Sequence, residues 1–168
     1  AVSALKKMGR DAIERAVSLL LPLLDDPEAR VSSEVMQTLG DDESDALLAA
    51  LLRRLDRGFD LDVARELSRF GPRAGRAIPA MERTLEQIEP SMRMDLAPII
   101  DKIQPGNQAA LSTVLAGLRS KDWRLSRSAA FVLGRLGGPP EVRRTALWEA
   151  AMIQGPNRPT EVCCQALG

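Results

Sequence analysis

Three stretches of this sequence hold residue types that could do chemistry: Cys163-Cys164, the acidic run Asp41-Asp42-Glu43-Ser44-Asp45, and the cluster Gly137-Gly138-Pro139-Pro140. Two thiols could bind a metal or cycle between redox states. Adjacent cysteines bridge poorly, however, because the ring they would close is strained, and two thiolates do not complete a four-ligand zinc site. Packing is the better reading of the pair, since free cysteine is among the most buried residue types. The acidic run has the charge to hold a hard cation but lacks the spaced Asp/Asn and Gly pattern of a calcium loop. Capping explains it better, with acids favoured at a helix N-terminus and Ser44 or Asp45 able to accept from the first free amides. The glycine-proline cluster lacks the spacing and the following Lys of a phosphate loop and is read as a helix break.

The chain has no His and no Tyr. The commonest general base, the commonest metal ligand and every Ser-His or Cys-His nucleophile are therefore absent. The sequence points to a chain that is not an enzyme and takes no cofactor.

The elements that carry these residues are helical. Of the 168 residues, 45% are hydrophobic and only 3% aromatic, and the apolar content is mainly Leu, Ala, Val and Ile, which suits helices packed through aliphatic side chains. The 23 basic residues balance 23 acidic ones, so no net field draws the chain to a polyanion. The longest apolar run, Leu19 to Leu24, is interrupted by Pro22 and falls far short of the roughly 18 to 20 residues that span a bilayer. The expectation is a soluble chain with no membrane insertion, the cytoplasm being favoured. It starts at Ala1 within a helical pattern, and is expected to be part of a longer protein.

A repeat organises the whole chain. Segments ending in Leu39-Gly40, Leu67-Ser68, Ile100-Asp101, Leu133-Gly134 and Leu167-Gly168 superpose at intervals of 28, 33, 33 and 34 residues. Ahead of each end stand two apolar columns: Val35, Val63, Leu96, Ala129, Cys163, and Met36, Ala64, Ala97, Ala130, Cys164. These offsets share one helix face. An earlier helix in each unit has its own stripe, through Leu20, Leu51, Met81, Val114, Trp148 and through Leu24, Leu55, Leu85, Leu118, Met152. The spacing predicts about ten helices in antiparallel pairs, with Trp148 in the core and a kink where Pro22 interrupts the first helix. The repeats run approximately 10–40, 41–71, 72–105, 106–138 and 139–168, after a half repeat at 1–9, in a single domain.

The stretches Leu67-Ser68-Arg69-Phe70-Gly71-Pro72-Arg73-Ala74-Gly75-Arg76-Ala77-Ile78-Pro79-Ala80-Met81-Glu82-Arg83-Thr84-Leu85 and Ser128-Ala129-Ala130-Phe131-Val132-Leu133-Gly134-Arg135-Leu136-Gly137 resemble bacterial HEAT repeats of the short, phycobilisome-lyase-like type. The resemblance covers essentially the whole chain. It implies a right-handed α-solenoid of about five helical hairpins and is informative about fold rather than function, since such repeats serve widely in scaffolding and partner recognition. The Arg common early in the family's second helix is matched by Arg93 alone, with Ser32, Asp60, Ser126 and Thr160 elsewhere. The paired His-Glu motifs of the di-iron hydroxylases of similar fold have no counterpart.

Two features stand out as possible partner contacts. Lys7, Arg69, Lys102 and Arg135 form a basic column, broken by Asp41, that either makes an edge ladder or complements helix C-termini, the latter being preferred. Trp123 lies in an intra-repeat turn as a binding anchor or, preferred, a lid over the hairpin end. No aromatic residue is expected to interleave with the column. The leading function is a protein-protein interaction scaffold, partnered by another protein or another domain of the same chain. A nucleic-acid-binding array using the basic edge is the alternative, with nucleic acid disfavoured by net neutrality, and a chromophore-lyase-type enzyme ranks last.

Overall fold

The computed structural model describes residues 17, 19–26, 28–39, 43–137, 140–141, 143–145 and 147–148. Among them every regular element is helical: α1 (Ala29–Leu39), α2 (Asp45–Arg57), α3 (Leu61–Arg69), α4 (Ile78–Gln87), α5 (Pro90–Ile103), α6 (Gln108–Leu118) and α7 (Trp123–Arg135), with 3₁₀ segments at Leu21–Asp25 and Gly71–Ala77. No helix of the described residues is long and apolar enough to cross a membrane. The chain is all-α as its periodicity requires.

The helix ends form where the side chains can satisfy free amides. Ser44 caps α2 by accepting from the Leu47 amide at 3.2 Å, so the acidic run opens a helix as expected. Asp60 caps α3 through the Asp62 amide at 2.9 Å, Asn107 caps α6 through the Ala110 amide at 3.0 Å, and Asp122 caps α7 through the Arg124 amide at 2.9 Å. At Pro22 the backbone is 3₁₀: Leu19 and Leu20 are α-helical and the segment Leu21–Asp25 that follows is tighter.

The chain forms two compact units, Ala1–Ala80 and Met81–Gly168, and the boundary falls within α4. In the first, α1 and α2 pack on Leu21–Asp25, α2 packs on α3, and α1 touches α3. Two long-range ion pairs tie it together, Arg57 to Asp25 at 2.8 Å and Arg73 to Asp45 at 2.6 Å, and the Arg73 guanidinium also donates to the Glu43 carbonyl. In the second unit α6 packs on both α5 and α7, and α5 touches α7. Second helices of consecutive repeats thus lie side by side within each unit.

The repeat columns are the core. Leu39, Leu67, Ile100 and Leu133 are buried, as are Val35, Val63, Leu96, Ala129 and the partners Met36, Ala64, Ala97, Ala130. The first-helix stripe holds from Leu20 and Leu24 to Val114 and Leu118. It fails at Trp148, which is 63% exposed, while Leu147 is buried. The register slips by one residue there, which turns the expected core position to solvent and its neighbour inward. Lys7, Cys163, Cys164, Thr160 and Leu167 lie outside the described residues.

Gly117 sets how closely the helices of the second unit approach. A Cβ at that position would meet Met94 Cε at 3.0 Å and Ala129 Cβ at 3.2 Å, so the hydrogen is what lets α6 sit against α5 and α7. Asp101 occupies the slot held by Gly or Ser in the other repeats. It is only 8% exposed, and its carboxylate accepts from Gly106 at 2.9 Å and from Gly137 at 2.6 Å, joining the end of α5 to the turn after α7. Gly106 meets it in the left-handed region (φ 77°), which an L side chain rarely adopts.

Two substitutions check this packing. Gly117→Leu should lower stability by about 2–3 kcal/mol by overpacking, whereas Gly117→Ala should be close to neutral, the helix-propensity gain of about 1 kcal/mol offsetting the crowding. Asp101→Ala leaves two amides without their acceptor and should cost about 2–4 kcal/mol, with Asp101→Asn losing roughly half because one carbonyl oxygen remains. Denaturant unfolding followed by far-ultraviolet circular dichroism reads both.

Candidate functional site

The exposed arc of α7 carries the best candidate surface. With about 100° per residue, Trp123, Arg127, Phe131 and Arg135 succeed one another at four-residue steps along one side, with Arg124 and Ser128 beside them. All six are exposed, whereas Ser126, Ala129, Ala130, Val132 and Leu133 on the opposite side are buried. The two aromatic rings keep 44% (Trp123) and 58% (Phe131) of their surface in solvent. Arg124 lies over Trp123 and Arg135 over Phe131, each guanidinium carbon 5.4 Å from the ring centroid.

The charge on this arc has one sign. Arg124, Arg127 and Arg135 form no ion pair among the described residues, and no acidic residue lies within α7. Exposed faces elsewhere are mixed, as in the pairs Arg30 with Glu34, Arg65 with Asp62 and Arg69 with Glu66. Arg119 and Lys121 precede the helix, and Asp122 has its carboxylate committed to the cap. The first turn of α7 holds Arg124 and no acid, the reverse of what the helix dipole favours. The Asp122 carboxylate at the cap and the Trp123 ring under the guanidinium offset part of that cost.

The residues singled out in the sequence separate. Arg69, Lys102 and Arg135 each fall in the last turn of their helices, α3, α5 and α7, where a cation complements the C-terminal dipole. Arg69 also pairs with Glu66 at 3.5 Å. Trp123 begins α7 and is 44% exposed. Phe131, which is not part of the basic column, stacks on Arg135 one turn away along α7. Arg124, Arg127 and Phe131 were missed by comparing columns across repeats. Their signal was present along the helix, in the four-residue spacing and the lack of any acid from Trp123 to Arg135.

The column containing Arg93 has a structural job. Arg93 donates through Nε to the Ile88 carbonyl at 2.9 Å and through Nη2 to the Glu86 carbonyl at 3.3 Å, closing the end of α4. Ser126, in the same column one repeat on, donates to the Leu118 carbonyl at 2.9 Å and closes α6 in the same way. Both positions stitch a helix pair together and are not a site. Among the described residues no group of three or more Cys, Asp or Glu side chains is arranged to hold a metal.

Charge reversal should separate the helix-end cations, Arg135 among them, from Arg127 in mid-arc. Lys102→Glu with Arg135→Glu should lower stability by about 1–2 kcal/mol in total, whereas Arg127→Glu, in mid-helix and without an ion-pair partner, should stay within about 0.5 kcal/mol. Urea midpoints of the two variants make the comparison.

Comparison of the chain with protein-family models, with curated proteins and with solved structures gave no match.

Proposed function

We propose that this chain is a non-enzymatic recognition module, a HEAT-like right-handed solenoid of helical hairpins that holds another protein, or another domain of its own chain, against its outer helix faces. The observation that carries this reading is the α7 arc, where two exposed aromatic rings share one face with three arginines that have no carboxylate partner among the described residues. Trp and Arg are the residue types that dominate binding energy at protein interfaces, and Phe is enriched there with them. Apolar surface held among fixed charges is stable in water and becomes favourable when a complementary face covers it.

Nucleic acid fits this surface less well. Three arginines offer about three phosphate contacts, which on a single strand release only about two counterions. The basic edge through Lys7, Arg69, Lys102 and Arg135 gains nothing further, because Arg69, Lys102 and Arg135 each sit at the end of a helix, where the dipole accounts for them. A chromophore-lyase-type activity is favoured least, since the chain has no His to act as a general base.

The test is retention of partners from an extract of the cells of origin by the immobilised 168-residue chain, with and without nuclease, and identification of what is retained. Defined proteins that resist nuclease and are lost on Trp123→Ala with Phe131→Ala are the expected result. Retention that nuclease abolishes would replace this reading with the nucleic-acid one.

A further inference from the structure

The protein-binding reading can be carried to the kind of segment bound, and the inference here rests on it. We infer that the exposed arc of α7 receives an acidic amphipathic α-helix of the partner, laid along α7 with carboxylates on Arg124, Arg127 and Arg135 and apolar side chains on Trp123 and Phe131.

The spacing selects a helix. Along α7 an aromatic residue and an arginine alternate at Trp123, Arg127, Phe131 and Arg135, and each four-residue step rises about 6 Å. A partner helix rises by the same amount per turn, and apolar and acidic residues alternating at three- and four-residue steps along its facing stripe meet these contacts at the shallow crossing, about 20°, that such packing gives. An extended strand advances about 6.7 Å per two residues and is out of step by about 2 Å after three steps. The charge selects the sign. Arg124, Arg127 and Arg135 meet no carboxylate among the described residues, and the only acid adjoining the helix, Asp122, accepts from the Arg124 amide. The guanidiniums of Arg124 and Arg135 are positioned over the rings, so the cations and the apolar surface are presented together, at a reduced entropic cost of binding.

The probe is a fluorescein-labelled synthetic peptide of about 16 residues with Leu and Glu alternating at three- and four-residue steps on one helical face, titrated into the full 168-residue chain and read by anisotropy. Three comparisons accompany it: a scrambled peptide, a peptide with Lys in place of Glu, and an oligothymidine of similar length. Binding of the Glu peptide in the range of tens of micromolar is expected, weakened roughly tenfold or more by Arg124→Glu with Arg127→Glu and by Phe131→Ala. The double variant keeps its fold, since an acid in the first turn suits the helix dipole, and it should take the Lys peptide in place of the Glu peptide. That exchange of specificity cannot come from unfolding.

Equal binding of the scrambled peptide, indifference to the double variant, self-association of the chain through Phe131, or tighter binding of oligothymidine through the same arginines would each overturn the inference. Loss of the peptide result alone, with a protein partner still retained from extract, removes the acidic helix and leaves the module a protein binder. Loss of both removes the protein-binding reading as well.

Discussion

Everything in this structure follows from the need of each helix to hide one apolar stripe that it cannot hide alone. A single amphipathic helix pair leaves much of its stripe in water, at about 25 cal/mol per Å² of apolar surface exposed, so successive pairs must lie against one another. The columns through Leu39, Leu67, Ile100 and Leu133 and through Ala64, Ala97, Ala130 are where that need is met. Small residues in the second set let backbones come close, and Gly117 takes the same logic to its limit. Polar groups that the packing traps are then satisfied locally, by Arg93 and Ser126 on helix-end carbonyls and by Asp101 on two amides.

Burial of one arc of each helix leaves the other arc free to vary, and that freedom is where recognition can be built. On α1 and α3 it carries charges of both signs that pair along the helix surface, an arrangement worth little to stability and neutral toward partners. On α7 the exposed arc holds cations, aromatic rings and Ser128, with no acid. Nothing in the packing requires that composition, and the dipole opposes part of it.

The sequence made the fold readable because a two-helix repeat writes its core as columns, and four of the five repeats obey them almost without exception. Pro98, inside α5, shows how strongly the register governs: a residue that removes an amide from the helix ladder is carried by the flanking Leu96, Ala97, Ile99 and Ile100, all buried. The columns fail where a slip of one residue is allowed, at Leu147 and Trp148, because the repeat boundary there follows the break at Gly137-Gly138-Pro139-Pro140 and its length is not fixed by the pattern. The site was less legible. Trp123 was visible as an unusual residue in a turn, but its companions Arg127 and Phe131 acquire meaning only once α7 is known to begin at Trp123 and its buried side is known. Net neutrality also concealed them, since a balance struck over 168 residues says nothing of a single helix arc.

That the α7 arc is free surface in the folded chain is the claim on which the functional account stands, and the indole of Trp123 reports on it. Acrylamide quenching of the Trp148→Phe chain, in which Trp123 is the remaining tryptophan, gives the answer under native conditions. A red-shifted emission quenched efficiently before unfolding, and changed little by denaturant, agrees with a ring presented to solvent at the head of the arc. A blue-shifted emission that quenches only after the chain unfolds would mean that Trp123 is buried as a lid, and the recognition surface described on α7 would not exist.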